Sequence, residues 1–380
     1  SSRATEPAMR MIDRATGGIP IITGLILLTV AGVPCRGAEP PVDFSRARQI
    51  MERQRAGEQL TAEEQAYLRR AREAKQGGSA EAKGGAAGQR PAPARLVPLT
   101  DFGPGEKYEG RDGGLYGQGR NTPPESQLAR ATQALEAIRP LDDKGESSPQ
   151  GVIGFVSLSM SNATQEFARF KQLADADPAK SRQVVIVDCA QGGAAMAEWA
   201  PSDGVPWKVT RERLAAARVS PRQVQAAWVK LANKGPDGPF ARHTEKLEYD
   251  TIALLRNARA LFPNLRVVYL GSRTYGGYAS GPLNPEPYAY ETAFAARRLI
   301  ERQIAGEPGL ASPSMPVLVW GPYLWADGTR GRAGGDLIWL REDFSADGVH
   351  PSTSGREKVA RLLLSFFKGD ALARPWFTAP

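Results

Sequence analysis

An α/β fold, three layers deep with a five-stranded parallel sheet at its centre, is what this sequence predicts. Three observations lead there. Five short apolar runs recur after residue 151, at Val152–Ser157, Val184–Asp188, Val224–Val229, Val267–Leu270 and Val317–Trp320. Helical stretches near 163–174, 208–217, 243–262 and 288–305 separate them, and a last helix is expected near 353–368. Short apolar strands that alternate with helices indicate a parallel sheet covered on both faces. The expected architecture is therefore a flavodoxin-like α/β/α sandwich over residues 151–380.

The chain has 380 residues, 41% of them hydrophobic and 24% charged, a composition that suits one large globular domain or two small ones. The formal charge of +8 comes from basic residues interleaved with acidic ones, such as Arg46 and Arg48 near Glu52 and Arg70 near Glu73. That pattern describes a mildly basic solvated surface, and it argues against a nucleic-acid stripe.

Before residue 151 the text is less regular. Arg10 and Arg14 precede the apolar stretch Ile19–Ala31, followed by Cys35, Arg36, Gly37 and Ala38. A basic start, an apolar run of about 13 to 15 residues and a small-residue exit predict a secretory signal over 9–38, with an uncleaved anchor as the alternative. Export would leave Cys189 as the single cysteine, so no internal disulfide is expected. Residues 39–75 predict a helical hairpin, the second helix opened by Thr61 with Glu64 at its third position. Residues 76–96, rich in Gly, Ala, Pro, Lys and Gln, predict a linker. Residues 97–150 predict an irregular extension packed on the sheet domain, with a helix over about 124–138. The glycine run Gly113–Gly119 follows no strand, so a phosphate-cradling loop is not expected.

In parallel sheets the functional site lies beyond the carboxyl ends of the strands. The first strand delivers Ser161 at a strand-to-helix turn, where amides and the positive helix end favour an attacking hydroxyl and an oxyanion. Asn162 is expected to cap the next helix, with Gln165 reaching back. The second strand delivers Gln191, Gly192, Gly193 and Trp199, where a glycine amide could serve as an oxyanion donor. After the third strand come Lys230 and Asn233, and after the fourth Arg273, Tyr275 and Tyr278, which would make a polar rim. The run Asp347-Gly348-Val349-His350 precedes the last helix. An Asp three residues ahead of a His can supply both a base and the carboxylate that orients it. The other histidine, His243, sits among Arg242, Glu245 and Lys246 and is expected on the surface. Two histidines in all argue against a His-rich metal site, and no cofactor is expected.

This order of elements resembles the SGNH (GDSL-like) hydrolase superfamily, in particular secreted bacterial members whose first block reads Met-Ser-Asn. The resemblance covers 150–370, with about 50 preceding residues like the extension of such relatives. It implies Ser161 as nucleophile, Asp347 and His350 as its partners, and oxyanion donors at Ser161 and at Gly192 or Gly193. The family's Gly-Asp before the serine is Ser159-Met160 here. Its Gly-x-Asn-Asp block has no clear counterpart, which leaves Asn162, Lys230 and Asn233 as candidates for the last donor.

The resemblance implies a secreted or envelope serine esterase acting on small-molecule or polysaccharide esters, with acetyl as one candidate acyl group. Gln191, Trp199, Lys230, Arg273 and Tyr275 are the expected substrate contacts. Two other readings use the same residues: a catalytically weak relative that binds an envelope glycan or protein, and an acyltransferase.

Overall fold

The computed structural model describes residues 50, 60–77, 96–335 and 337–379. The expected signal, the first helix of the hairpin apart from Ile50, and the linker up to residue 95 lie outside them. The chain divides into two units, 1–90 and 91–380.

In the first unit, helix α1 (Ala62–Gly77) begins with a reciprocal cap. Glu64 N donates to Thr61 Oγ1 at 3.2 Å, and Thr61 N donates to Glu64 Oε2 at 2.9 Å. Two otherwise orphaned amides are satisfied in this way. Ile50, Leu68 and Ala71 form its small apolar cluster.

The second unit opens irregularly and then forms α2 (Glu125–Glu136). There follow β1 (Ile153–Ser157), α3 (Ser161–Asp175), β2 (Val184–Asp188), the short α4 (Met196–Trp199), α5 (Val205–Ala216) and β3 (Val224–Lys230). The chain continues through α6 (Phe240–Leu261), β4 (Val267–Gly271), α7 (Tyr288–Ile304), β5 (Val317–Trp320), α8 (Thr353–Gly369) and the short α9 (Arg374–Phe377). The five strands are all parallel, in the order β2-β1-β3-β4-β5. The chain winds one way from β1 to β2 and the other way from β3 onward, which makes the carboxyl ends of β1 and β3 the switch point.

Strand residues divide by the two-residue period. Phe155, Ile186, Ala226, Trp228, Tyr269 and Val319 face a core shared with α2, α3, α8 and α9. Val156, Val187, Ala227, Val229, Leu270 and Leu318 face the core of α4, α5, α6 and α7. Both faces are covered, which is why the strands read as unbroken apolar runs. Aromatic packing is densest on the first face, where Phe155 lies edge-on to Phe367 at 4.8 Å and to Phe167 at 5.3 Å.

The segment before α2 is tied to this domain. Leu99 is fully buried in the second core, Leu99 N donates to Tyr323 Oη at 3.1 Å, and Arg297 binds Asp112. The glycine run there forms turns: Gly114 has φ +89°, and a Cβ on it would meet Arg120 N at 2.5 Å.

His243 corrects the sequence reading. It is 4% exposed, with Nε2 2.7 Å from Glu291 Oε2, while Tyr108 Oη donates to Glu291 Oε1 at 2.6 Å. The charged neighbours that suggested a surface position lie on the other stripe of α6. His243 shares the inner stripe with Leu247, one turn on.

Candidate active site

The β1–α3 corner places Ser161 as the first residue of α3, after Met160 in an extended conformation. A first-turn amide has no partner within its own helix, and the positive helix end lies beside the serine hydroxyl. Ser161 Oγ is 2.8 Å from His350 Nε2, and His350 Nδ1 is 2.5 Å from Asp347 Oδ2.

The loop before α8 holds the other two members in place. Asp347 Oδ1 accepts from Val349 N at 2.9 Å and from His350 N at 3.0 Å, so the carboxylate folds the loop as well as contacting the ring. Gly348 has φ +70°, and a Cβ on it would fall 1.7 Å from Tyr278 O, so only glycine fits this turn. Ser345 N donates to His350 O at 2.7 Å, and Ser352 caps α8 immediately afterwards. Partial burial pushes the Asp347 carboxyl up. The His350 ring and the two loop amides outweigh it and hold the group below the usual carboxylate range.

Asn162 is not the helix cap that was expected. It is the second residue of α3, 2% exposed, and its Nδ2 donates to Val349 O at 2.6 Å. The side chain fastens the Asp347–His350 loop to the serine's helix. Gln165 likewise lies too far into the helix to reach back, and its Oε1 is buried without a partner.

Beside the three residues lies a cleft of about 280 Å³, lined by Met160, Ser161, Asn162, Gly193, Ala195, Asn233, Lys234, Leu283, Asn284 and His350. Gly193, with φ +81°, lines it, whereas Gly192 does not. A larger cleft of about 590 Å³ around Arg211, Arg222 and Asn257 sets no histidine beside its serines, so size does not identify the site.

None of the five expected substrate contacts lines the cleft. Trp199 is fully buried, donating from Nε1 to Ser159 O and Ala194 O, and its ring packs edge-on against Trp207. Lys230 is fully buried, with Nζ 2.7 Å from both oxygens of Glu166. Burial lowers the Lys230 ammonium to about 8 despite the favourable Glu166 charge. Arg273 is 2% exposed, with one terminal nitrogen 3.5 Å from Met160 Sδ. Gln191 spends its Nε2 on Cys189 O and Pro206 O. Tyr275 is half-buried against Tyr278 and Trp325 and does not line the cleft. Each of these side chains is long and amphipathic, and strand-end position alone does not say whether its polar tip reaches the opening.

Asn233, by contrast, lines the cleft. Its Oδ1 accepts from Ala197 N at 2.8 Å and its Nδ2 donates to Asp250 Oδ2 at 2.7 Å, which fixes the amide's orientation. Leu283 and Asn284 also line it and were not singled out from sequence, since they lie in an irregular loop far from any motif. Among the described residues no group of three or more His, Cys, Asp or Glu side chains could hold a metal ion, and no helix is long and apolar enough to cross a membrane.

No family model matches the chain, and no curated protein sequence matches it. Among solved structures it is similar to a GDSL-like lipase from Bacteroides thetaiotaomicron, at 10% identity and a TM-score of 0.34, over 63% of this chain and 96% of that one. It is also similar to the periplasmic domain of a lipopolysaccharide acetyltransferase from Salmonella ser. Paratyphi A, at 11% identity and a TM-score of 0.33, again over 63% and 96%. Both likenesses are distant, and the functional reading rests on the site itself.

Proposed function

We propose that this protein is an exported serine esterase that cleaves acyl groups from carbohydrate, through Ser161, His350 and Asp347. One observation carries the reading: a serine hydroxyl at a helix start, 2.8 Å from an imidazole whose other nitrogen is 2.5 Å from a carboxylate. That arrangement activates a hydroxyl for attack on a carbonyl. The basic and apolar segment 9–38 supports export, and Asn233, Lys234 and Asn284 on the cleft wall supply polar partners for a sugar.

His350 Nε2 takes the proton from Ser161 as the hydroxyl attacks the ester carbonyl, while Asp347 keeps the Nδ1 proton in place and stabilises the imidazolium. The tetrahedral oxyanion falls to the amides of Ser161 and Gly193 and to the second Nδ2 hydrogen of Asn233. Each such donor is worth about 3 kcal/mol to the transition state. His350 then protonates the leaving alcohol. Water repeats the sequence on the acyl-Ser161 intermediate and releases the acid.

The test is hydrolysis of a small activated acetate ester by the full chain, beside Ser161→Ala and His350→Ala. Turnover should fall by at least about 10³-fold in both variants. Turnover that persists in Ser161→Ala removes Ser161 from the mechanism. Absence of turnover in the folded unmodified protein would favour the glycan-binding reading.

A further inference from the structure

Beneath the cleft, buried charge does not balance. Glu166, Lys230 and Arg273 are each 2% exposed or less. Lys230 Nζ engages both oxygens of Glu166, so the single carboxylate of the group is taken by one cation. Arg273 has no ion pair among the described residues. Its Nε is buried with no partner, and among the described residues the guanidinium's hydrogen-bond contact is to Met160 Sδ, a weak acceptor. A guanidinium removed from water needs a compensating anion, and here Glu166, Glu286 and Asp347 act on it only through space, without an ion pair.

The cleft wall points the same way. Met160, against which Arg273 rests, lines the cleft together with Ser161. Lys234 is on the wall as well, and no carboxylate is. The carboxylates nearby are already engaged: Asp347 with His350, Asp250 with Asn233 and Lys246, Glu198 with Lys234, and Glu286 with Gly276 N, Tyr290 N and Trp325 Nε1. The Lys234–Glu198 pair is exposed on both sides, and such pairs contribute little, so a ligand can compete for the ammonium.

We propose that the cleft beside Ser161 selects an anionic substrate, an ester carried on a carboxylate- or sulfate-bearing sugar. Lys234 makes the direct contact, and Arg273 adds positive potential from beneath Met160. The proposal names the substrate class of the esterase read above and rests on that reading for turnover, though not for binding. Arg273 acts through the field and through the Met160–Ser161 turn, so it is a positioning residue.

The experiment pairs kinetics with binding. The full chain is given O-acetyl glucuronate and O-acetyl glucose at low and high salt, and calorimetry measures free glucuronate, glucose 6-sulfate and glucose. The acetylated glucuronate should be preferred in kcat/KM by about tenfold, mainly through KM, with the preference narrowing as salt rises. Lys234→Ala, at an exposed position that folding tolerates, should cut the preference. Arg273→Gln should cut it further, and Arg273→Lys should restore most of it. That rescue separates a charge effect from a packing effect.

Glucuronate and glucose 6-sulfate binding equally would identify charge as the selected feature, and glucuronate alone would identify a carboxylate site. Turnover of both acetates without preference overturns the proposal and leaves the esterase standing. If neither acetate turns over, the esterase reading fails, and calorimetry still decides here: glucose binding as tightly as glucuronate overturns the proposal.

Discussion

Ser161, Asp347 and His350 meet because a helix begins at one of them and a loop folds around another. Asp347 has two duties, orienting the imidazole and closing its own loop through Val349 N and His350 N. Asp347→Asn should therefore keep the fold of the loop while disturbing the imidazole tautomer, lowering kcat by about 10²- to 10⁴-fold with little change in KM. Single-turnover kinetics would show the loss in the acylation step, and a KM effect alone would contradict the assignment. Gly348→Ala tests the loop from another side, since its Cβ would collide with Tyr278 O at a positive φ. Activity should fall with Ser161 and His350 both intact, and reactivity of Ser161 towards an acylating reagent should fall in step.

These three residues were legible in the sequence because their chemistry is local: a serine after a strand, and an Asp-x-x-His before a helix. The burial of Trp199, Lys230, Arg273 and His243 was not. It depends on partners far along the chain, Trp207, Glu166, Met160 and Glu291, which no local pattern names.

At the scale of elements, the β1–α3 corner and the end of β3 are joined by the Lys230–Glu166 pair, which links α3 to the neighbouring strand. Ser159 Oγ also donates to Lys230 O at 2.6 Å, fixing the turn just before Ser161. Glu166→Gln should destabilise the protein by about 3–5 kcal/mol, because Lys230 would be left buried without its counter-charge. The double change Glu166→Gln with Lys230→Met should recover much of that loss. Denaturant midpoints of the single and double variants check this, and additive losses would show that the pair is not coupled. On the opposite arm of the strand, Phe155 fills the space between Phe167, Phe170, Phe367 and Trp376. Phe155→Ala should cost about 3–5 kcal/mol through lost burial and the cavity left behind.

The five strands were read from sequence to within a residue or so at each end, since strands buried on both faces carry an unmistakable apolar run. The helices α4 and α9 were not, being single turns with no period to detect. Asn162 was assigned to a cap because Asn favours that position. In the structure the Val349 carbonyl, 187 residues away, claims its amide.

Across the whole molecule, the buried charges predict how stability responds to pH. Burial lifts the Glu286 carboxyl to about 7, against the opposing donors Gly276 N, Trp325 Nε1 and Tyr290 N. The folded state thus keeps a proton that the unfolded chain releases at lower pH. The stabilisation is complete in acid and is lost as pH rises through the folded value. Glu286→Gln removes that slope, so its denaturant midpoint should gain on the unmodified protein between about pH 5 and about pH 8. A midpoint difference independent of pH would show that Glu286 is ionised throughout. Asp347 has the opposite sign: its carboxyl is lowered, so its contribution is present at neutral pH and is lost in acid.

The most direct test of the account is covalent labelling of the full chain with a fluorophosphonate, followed by peptide mass spectrometry. A fluorophosphonate reacts with a serine whose hydroxyl is deprotonated by a neighbouring base. The account predicts one adduct, on the peptide carrying Ser161, absent in Ser161→Ala and strongly slowed in His350→Ala. An unlabelled Ser161 in the folded protein, or an adduct on another serine, would contradict it.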